Sequence, residues 1–204
     1  MQKFSQKDVR IIQQEPLREG FLSIHKLRLQ HKLFEGDWSP VFEREVMDRG
    51  HAVVVLPYDP KRDALVVLEQ FRVGALLGAT DEKQSPWLLE FVAGMYDGDE
   101  LAEQVAHREL FEEAGLTTER LHFALSYLST PGGCTEEISI YIAEVDSSRA
   151  LRHAGLASEH EDIRVHVLPY GDVVQLLEQG KINNAASVIG LQWLQLHKRR
   201  FEDL

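Results

Sequence analysis

The chain has 204 residues, of which 44% are hydrophobic and 27% charged, the balance of a soluble globular protein with enough length for one well-packed core. Its formal net charge of −11 disfavours nonspecific binding to nucleic acid or to an anionic membrane, so neither is expected as a partner. One cysteine, Cys134, excludes an intrachain disulfide, no apolar run reaches membrane-spanning length, and the opening MQKFSQKDVRIIQQEP lacks the apolar core of a signal peptide; together these predict a cytoplasmic protein.

In chain order, Phe21 to Ile24 and Lys26 to Leu29 show partial strand alternation. The turn-prone Glu35-Gly36-Asp37 interrupts it, and Phe42 to Val46 reads as a further strand, which predicts a small N-terminal antiparallel sheet over residues 1–48. From His51 the pattern changes to apolar runs typical of buried strands: AVVVLP, then ALVVLEQF after a turn at YDPKRD, then WLLEFVA. The segment 74–86 is longer than a tight connection requires and reads as a specificity loop, a dimer loop or plain surface. HFALSYL, ISIYIAEV and IRVHVLP follow as strands, and DVVQLLEQG and AASVIGLQWLQLHKRR as closing helices. Residues 49–204 are therefore expected to form an α/β domain with a mixed sheet between helices.

Residues 94–116, GMYDGDELAEQVAHRELFEEAGL, form the most informative stretch. Asp97 or Asp99 is placed to cap a helix, and Glu100 stands three residues after Asp97 as a capping box requires. Leu101, Ala102, Val105, Ala106, Leu110 and Ala114 recur at helical spacing and predict an inward apolar face, with Gly115 as the left-handed terminator. Glu109, Glu112 and Glu113 then fall within about one turn of each other near the negative end of the helix dipole, each unfavourable contact being worth a few tenths to about 1 kcal/mol. A cluster that works against folding on one face implies a bound cation, with Arg108 beside it to orient the carboxylates. Clustered carboxylates without a Cys/His set favour hard, oxygen-seeking ions, Mg²⁺ or Mn²⁺, over zinc.

Gly94, Glu100 and the run Arg108-Glu109-Leu110-Phe111-Glu112-Glu113-Ala114-Gly115-Leu116 resemble a complete Nudix box, with every fixed position filled. The resemblance implies a Nudix α/β/α sandwich that hydrolyses a phosphoanhydride, commonly that of a nucleoside diphosphate linked to another group. Pro131, fifteen residues past Leu116, resembles the marker of the ADP-ribose pyrophosphatase branch. LSTPGGCTEE, EQFR, SEHEDIRVHV and INNAASVIGLQWL are also similar to its bacterial members, so the likeness covers nearly the whole chain. It implies cleavage of the nucleotide sugar ADP-ribose to AMP and ribose 5-phosphate, in a homodimer whose subunits exchange the N-terminal sheet. The alternatives are another nucleotide sugar such as GDP-mannose, or a nonenzymatic Nudix-like nucleotide sensor.

By the same resemblance Glu109 and Glu113, the Ala93 carbonyl and Glu112, directly or through water, hold the metal, while Glu100 is a structural ion-pair partner of the box. Composition alone makes Glu159-His160-Glu161-Asp162 a solvated loop; the resemblance makes Glu159 the general base and Glu161 a further ligand, with His160 as the alternative base. Arg72 and Arg44 match arginines that bind phosphates or the terminal ribose, or else are surface ion-pair residues. Phe21 is either an adenine-stacking ring or a core residue of an alternating strand. Gly133 and Glu136 either approach the ligand or belong to a plain hairpin turn. Trp87, Trp193 and Cys134 read as packing residues.

Overall fold

The computed structural model describes residues 4–201 and divides into two compact units. The first runs to His51 and takes in Leu128–Glu137. Its strands β1 (Val9–Arg18), β2 (Ser23–His31) and β3 (Phe42–Asp48) form an antiparallel sheet in the order β1-β2-β3. Strand β1 is longer than anything expected before Phe21. All ten of its residues are exposed, and VRIIQQEPLR, with Ile11-Ile12 and Gln13-Gln14-Glu15 in runs, lacks the alternation by which a strand is recognised. Its Pro16 lies on an edge strand, beside an irregularity in the pairing with β2, where a missing N–H is tolerated. Leu128–Glu137 docks onto the end of β3: Met47 N–H donates to the Gly133 carbonyl at 2.8 Å and Thr135 N–H to the Met47 carbonyl at 3.1 Å.

The second unit is built on a mixed sheet. In chain order its elements are β4 (Ala52–Asp59), β5 (Ala64–Phe71), α1 (Val73–Gly78), β6 (Trp87–Glu90), β7 (Val92–Met95), α2 (Ala102–Ala114), β8 (Arg120–Leu128), β9 (Glu137–Glu144), β10 (His153–Ala154), β11 (Ile163–Pro169), α3 (Tyr170–Glu178) and α4 (Ala185–His197). The strand order is β10-β11-β5-β4-β9-β8, with β6 added to β5 and β7 to β4. The β4–β9 pairing is parallel and β4–β5 antiparallel, which is what makes the sheet mixed.

Two cores flank this sheet. Val53, Val55, Val66 and Leu68 pack with Val105, Ala106, Leu110 and Ala114 of α2, whereas Val54, Leu56, Leu65 and Val67 pack with Val173 of α3 and Leu191 and Leu194 of α4. Alternate residues of one strand feed opposite layers, so β4 and β5 are apolar throughout, as a strand buried on both faces must be. This is an α/β/α sandwich.

Local detail departs from the sequence reading at several points. WLLEFVA is two short strands instead of one: buried Phe91 marks the break, where the chain leaves the edge of β5 and joins that of β4. Segment 74–86 opens as α1, a short helix with no buried residue and hence no periodic signal. Helix α2 starts at Ala102 with Leu101 as an exposed N-cap, not at Asp97 or Asp99. The Asp97–Glu100 pair does close a turn, Asp97 N–H donating to Glu100 Oε2 at 3.0 Å, but the same carboxylate is drawn to Arg108, so the helix begins one turn later. Gln104 caps Leu101 N–H at 2.7 Å instead. Gly115 ends α2 in the left-handed region at φ 67°, as expected. No helix among the described residues is long and apolar enough to cross a membrane.

Candidate active site on the glutamate face of helix α2

Helix α2 buries Val105, Ala106, Leu110 and Ala114 against the sheet, and this register carries Glu109 and Glu113 to the edge of the core beside β7. Glu113 is 2% exposed and accepts one hydrogen bond, from Ala93 N–H at 2.8 Å. Burial, the dominant influence, raises its pKa well above the usual carboxylate range; the Ala93 bond opposes this, and the nearby charges of Glu109 and Glu161 add to it. Burial likewise pushes Glu109 up to about 7, against the pull of Arg108 and with further upward pressure from Glu112 and Glu161.

Gly94 explains how Glu109 fits. A Cβ at residue 94 would stand 1.6 Å from Glu109 Oε1, so the carboxylate occupies the space that any other side chain would fill. The glycine of the box is thus required by close approach of a functional side chain to the β7 backbone.

Arg108 organises the outer side of the cluster. Its Nη1 donates to Glu109 and to Glu112 Oε2, the latter at 3.1 Å; its Nη2 donates to the Met95 carbonyl and to Glu100 Oε2, both at 3.0 Å. Glu100, Glu109 and Glu112 hold Arg108 still more firmly protonated than an ordinary arginine. Glu100 therefore ties Arg108 to the helix start, and Arg108 orients two of the three clustered glutamates.

Glu161 is brought to the same cluster from the loop before β11, since its charge acts on both Glu109 and Glu113. Its Oε2 accepts from Leu156 N–H at 3.3 Å. Gly155 has a φ of 99°, and a Cβ there would come within 2.8 Å of Glu161 Cβ, so this glycine also makes room for a carboxylate-bearing residue. Glu159 closes a 3₁₀ turn, Ala157–Glu159, but its side chain lies outside the described residues. The alternative base, His160, follows at φ 57°, a left-handed conformation uncommon for a residue with a side chain.

No three acidic, histidine or cysteine side chains among the described residues converge at ligand distance; Arg108 supplies the positive charge that faces Glu109 and Glu112. The donor set nonetheless fits a hard divalent ion. It consists of carboxylates, two of them buried beyond what their hydrogen bonds compensate, and a cation added there would relieve the repulsion among Glu109, Glu113 and Glu161.

The substrate-binding candidates fall in both units. Arg72, at the end of β5, pairs with Glu90 at 2.7 Å, and its charge acts on Glu113. In the first unit, Phe21 lies in the turn between β1 and β2 and is 80% exposed, so it is not a core residue of an alternating strand. Arg44 lies on β3, exposed, with its guanidinium 4.8 Å from the Phe42 ring. Gly133 closes a turn onto the Thr130 carbonyl at 3.0 Å with open space where a Cβ would stand. Glu136 is buried 3.3 Å from Arg49 Nε. Cys134 is buried, and Trp87, 55% exposed, packs edge-on against the Phe71 ring.

The sequence matches the model of the NUDIX domain over residues 48–189. The chain belongs to the Nudix family, and the family implies a divalent metal. It is 49% identical over 200 residues to an ADP-ribose pyrophosphatase of Escherichia coli (strain K12), spanning 98% of this chain and 94% of the relative. A GDP-mannose pyrophosphatase of Escherichia coli O1:K1 / APEC is 30% identical over 191 residues, spanning 93% of this chain and 96% of the relative. Among solved structures, the crystal structure of an ADP compounds hydrolase superposes with a TM-score of 0.72 over 99% of this chain and 100% of the other at 22% identity, a likeness of fold.

Proposed function

We propose that this protein is an ADP-ribose pyrophosphatase that hydrolyses the diphosphate of ADP-ribose to AMP and ribose 5-phosphate with Mg²⁺, for which Mn²⁺ substitutes. The observation that carries the hydrolytic reading is the buried, under-compensated Glu113 facing Glu109 and Glu161. The choice of substrate is supported by the 49% identity to an ADP-ribose pyrophosphatase against 30% to a GDP-mannose pyrophosphatase.

Glu109, Glu112, Glu113, Glu161 and the Ala93 carbonyl would hold the metal, which would supply polarisation of the phosphorus and acidify water there. Glu159 would take a proton from the attacking water as the water oxygen bonds to one phosphorus; the bond from this phosphorus to the bridging oxygen breaks, and the bridging oxygen leaves with the other phosphate. Arg108 keeps Glu109 and Glu112 in place. Arg72 and Arg44 bind phosphate or ribose oxygens, Phe21 stacks on adenine, and Gly133 and Glu136 meet the ribose. Residues 1–48 serve dimerisation and substrate binding, by exchange between the subunits of a cytoplasmic homodimer, and 49–204 carry out catalysis. An edge strand such as β1, exposed along its whole length, is the kind of element that a second chain covers.

GDP-mannose is the second reading, favoured by the more distant relative. Purified protein supplied with ADP-ribose and Mg²⁺ should release AMP, with a higher kcat/KM than for GDP-mannose. Absence of AMP, or full activity in Glu113→Gln, would remove the proposal.

A further inference from the structure

Gln70 is a buried polar residue that neither the box nor its carboxylate cluster employs. It is 4% exposed, and its Nε2 makes no hydrogen bond among the described residues. A hidden amide donor without an acceptor forfeits its bond to water and gains nothing in return, so such groups are rare in native proteins and call for a partner.

Strand alternation fixes which layer Gln70 faces. In β5, Leu65 and Val67 pack with α3 and α4, whereas Val66 and Leu68 pack with α2. Gln70 continues the second series and Phe71 the first, where its ring meets Trp87. Gln70 thus faces the α2 layer at the end of β5, about 7 Å along the strand from Arg72. Arg72 in turn lies near enough to Glu113 for its charge to be felt there. The unpartnered donor and the carboxylates therefore belong to one end of one layer.

We propose that Gln70 is a substrate-binding residue that donates Nε2–H to an oxygen of the diphosphate, beside Arg72. The proposal rests on the diphosphate-hydrolysis reading given above. A neutral donor suits this position: a cation among these carboxylates is drawn into an ion pair, as Arg72 is by Glu90, whereas an amide keeps its hydrogens for an arriving anion. The phosphate oxygen would restore the hydrogen bond that the free protein lacks.

The test pairs kinetics with thermal melts for the wild type and Gln70→Met, which replaces the amide with an apolar chain of similar length. With ADP-ribose and Mg²⁺, kcat/KM should fall about 10- to 100-fold, the worth of a hydrogen bond to a charged oxygen, while the melting temperature stays level or rises. Unchanged kinetics in a folded Gln70→Met protein would overturn the proposal and leave the donor a packing defect. Should that variant fail to fold, Gln70→Asn, which withdraws the same amide by one methylene, must show the kinetic loss, and full activity there overturns the proposal equally. If the wild type releases no AMP, the functional reading fails on its own. The inference is then decided by magnesium pyrophosphate, which should raise the melting temperature of the wild type more than that of the variant; an equal rise overturns it.

Discussion

Asp59 and Glu113 are almost equally hidden from solvent, at 1% and 2% exposure, yet they ionise in opposite directions. Burial is the largest single influence on both and favours the protonated form. At Asp59 it is outweighed: Oδ1 accepts from Lys61 N–H and Arg62 N–H, and Oδ2 from the Arg62 guanidinium, Ser147 N–H and Ser147 Oγ, at 2.7 to 3.1 Å. Asp59 also lies under a thin cover, Glu113 under a deep one. Among the described residues Glu113 accepts from Ala93 N–H alone, and the charges of Glu109 and Glu161 outweigh the weaker opposing influence of Arg72. One acid completes a turn that needs nothing further; the other is relieved either by taking up a proton or by an added cation. Solvent exposure alone does not separate the structural acid from the functional one; depth of cover and the number of donors do.

The largest effect expected from this contrast is at Glu113. Glu113→Gln keeps an acceptor for Ala93 N–H and removes the charge, so ADP-ribose hydrolysis should fall by about 10³-fold or more, the range seen when a charge-stabilising group is lost, while the melting temperature holds or rises. A parallel loss of fold, seen by circular dichroism, would make Glu113 structural like Asp59.

Gly94→Ala comes next. Its Cβ would stand within 1.6 Å of Glu109 Oε1, so the carboxylate must move, and a displacement of about 1 Å at a reacting centre costs on the order of 10²-fold in rate. Steady-state assays should show the loss in kcat, with denaturant midpoints little changed. Asp59→Asn should give the reverse: about 2 kcal/mol less stability in urea unfolding, from weakened charge-assisted bonds, with kcat within a few-fold of wild type.

The smallest effect is on pH dependence, where Asp59 and Glu109 take opposite signs. The folded pKa of Asp59 lies below its ordinary value of 3.8, so its contribution is present above that pH and lost as pH falls through the folded value. Glu109 is raised from 4.5 to about 7, and the metal-free folded state therefore binds more protons than the unfolded chain in that window. Stability should decline as pH rises from 4.5 to 7 with chelator present, by on the order of 1 kcal/mol or roughly 2–4 °C, and saturating Mg²⁺ should abolish the decline. A flat profile with chelator would contradict the assigned environment of Glu109.

Much of this arrangement was legible in the sequence because it rests on periodicity. The doubly buried strands β4 and β5, the face of α2 and the Gly115 terminator all follow from spacing. The remaining elements carry no such signal: β1 is exposed throughout, α1 buries nothing, and the β6–β7 break is a change of neighbour within one apolar run. At the site, the box displayed its glutamates but not the reason for Gly94, which is a distance of approach. Gln70 passed as one polar residue inside EQFR, because an unpartnered donor exists only once the strand has neighbours. Arg72 stands out in the sequence, but its pairing with Glu90 depends on the β5–β6 register.

On the proposed function, the charge on Glu113 serves to hold a divalent ion. Thermal melts of wild type and Glu113→Gln at pH 7.5, each with chelator and with a series of Mg²⁺ concentrations, test it without reference to turnover. A Mg²⁺-dependent rise in melting temperature is expected for the wild type and little or none for Glu113→Gln; an equal rise in both, or none in the wild type, would mean that Glu113 holds no metal.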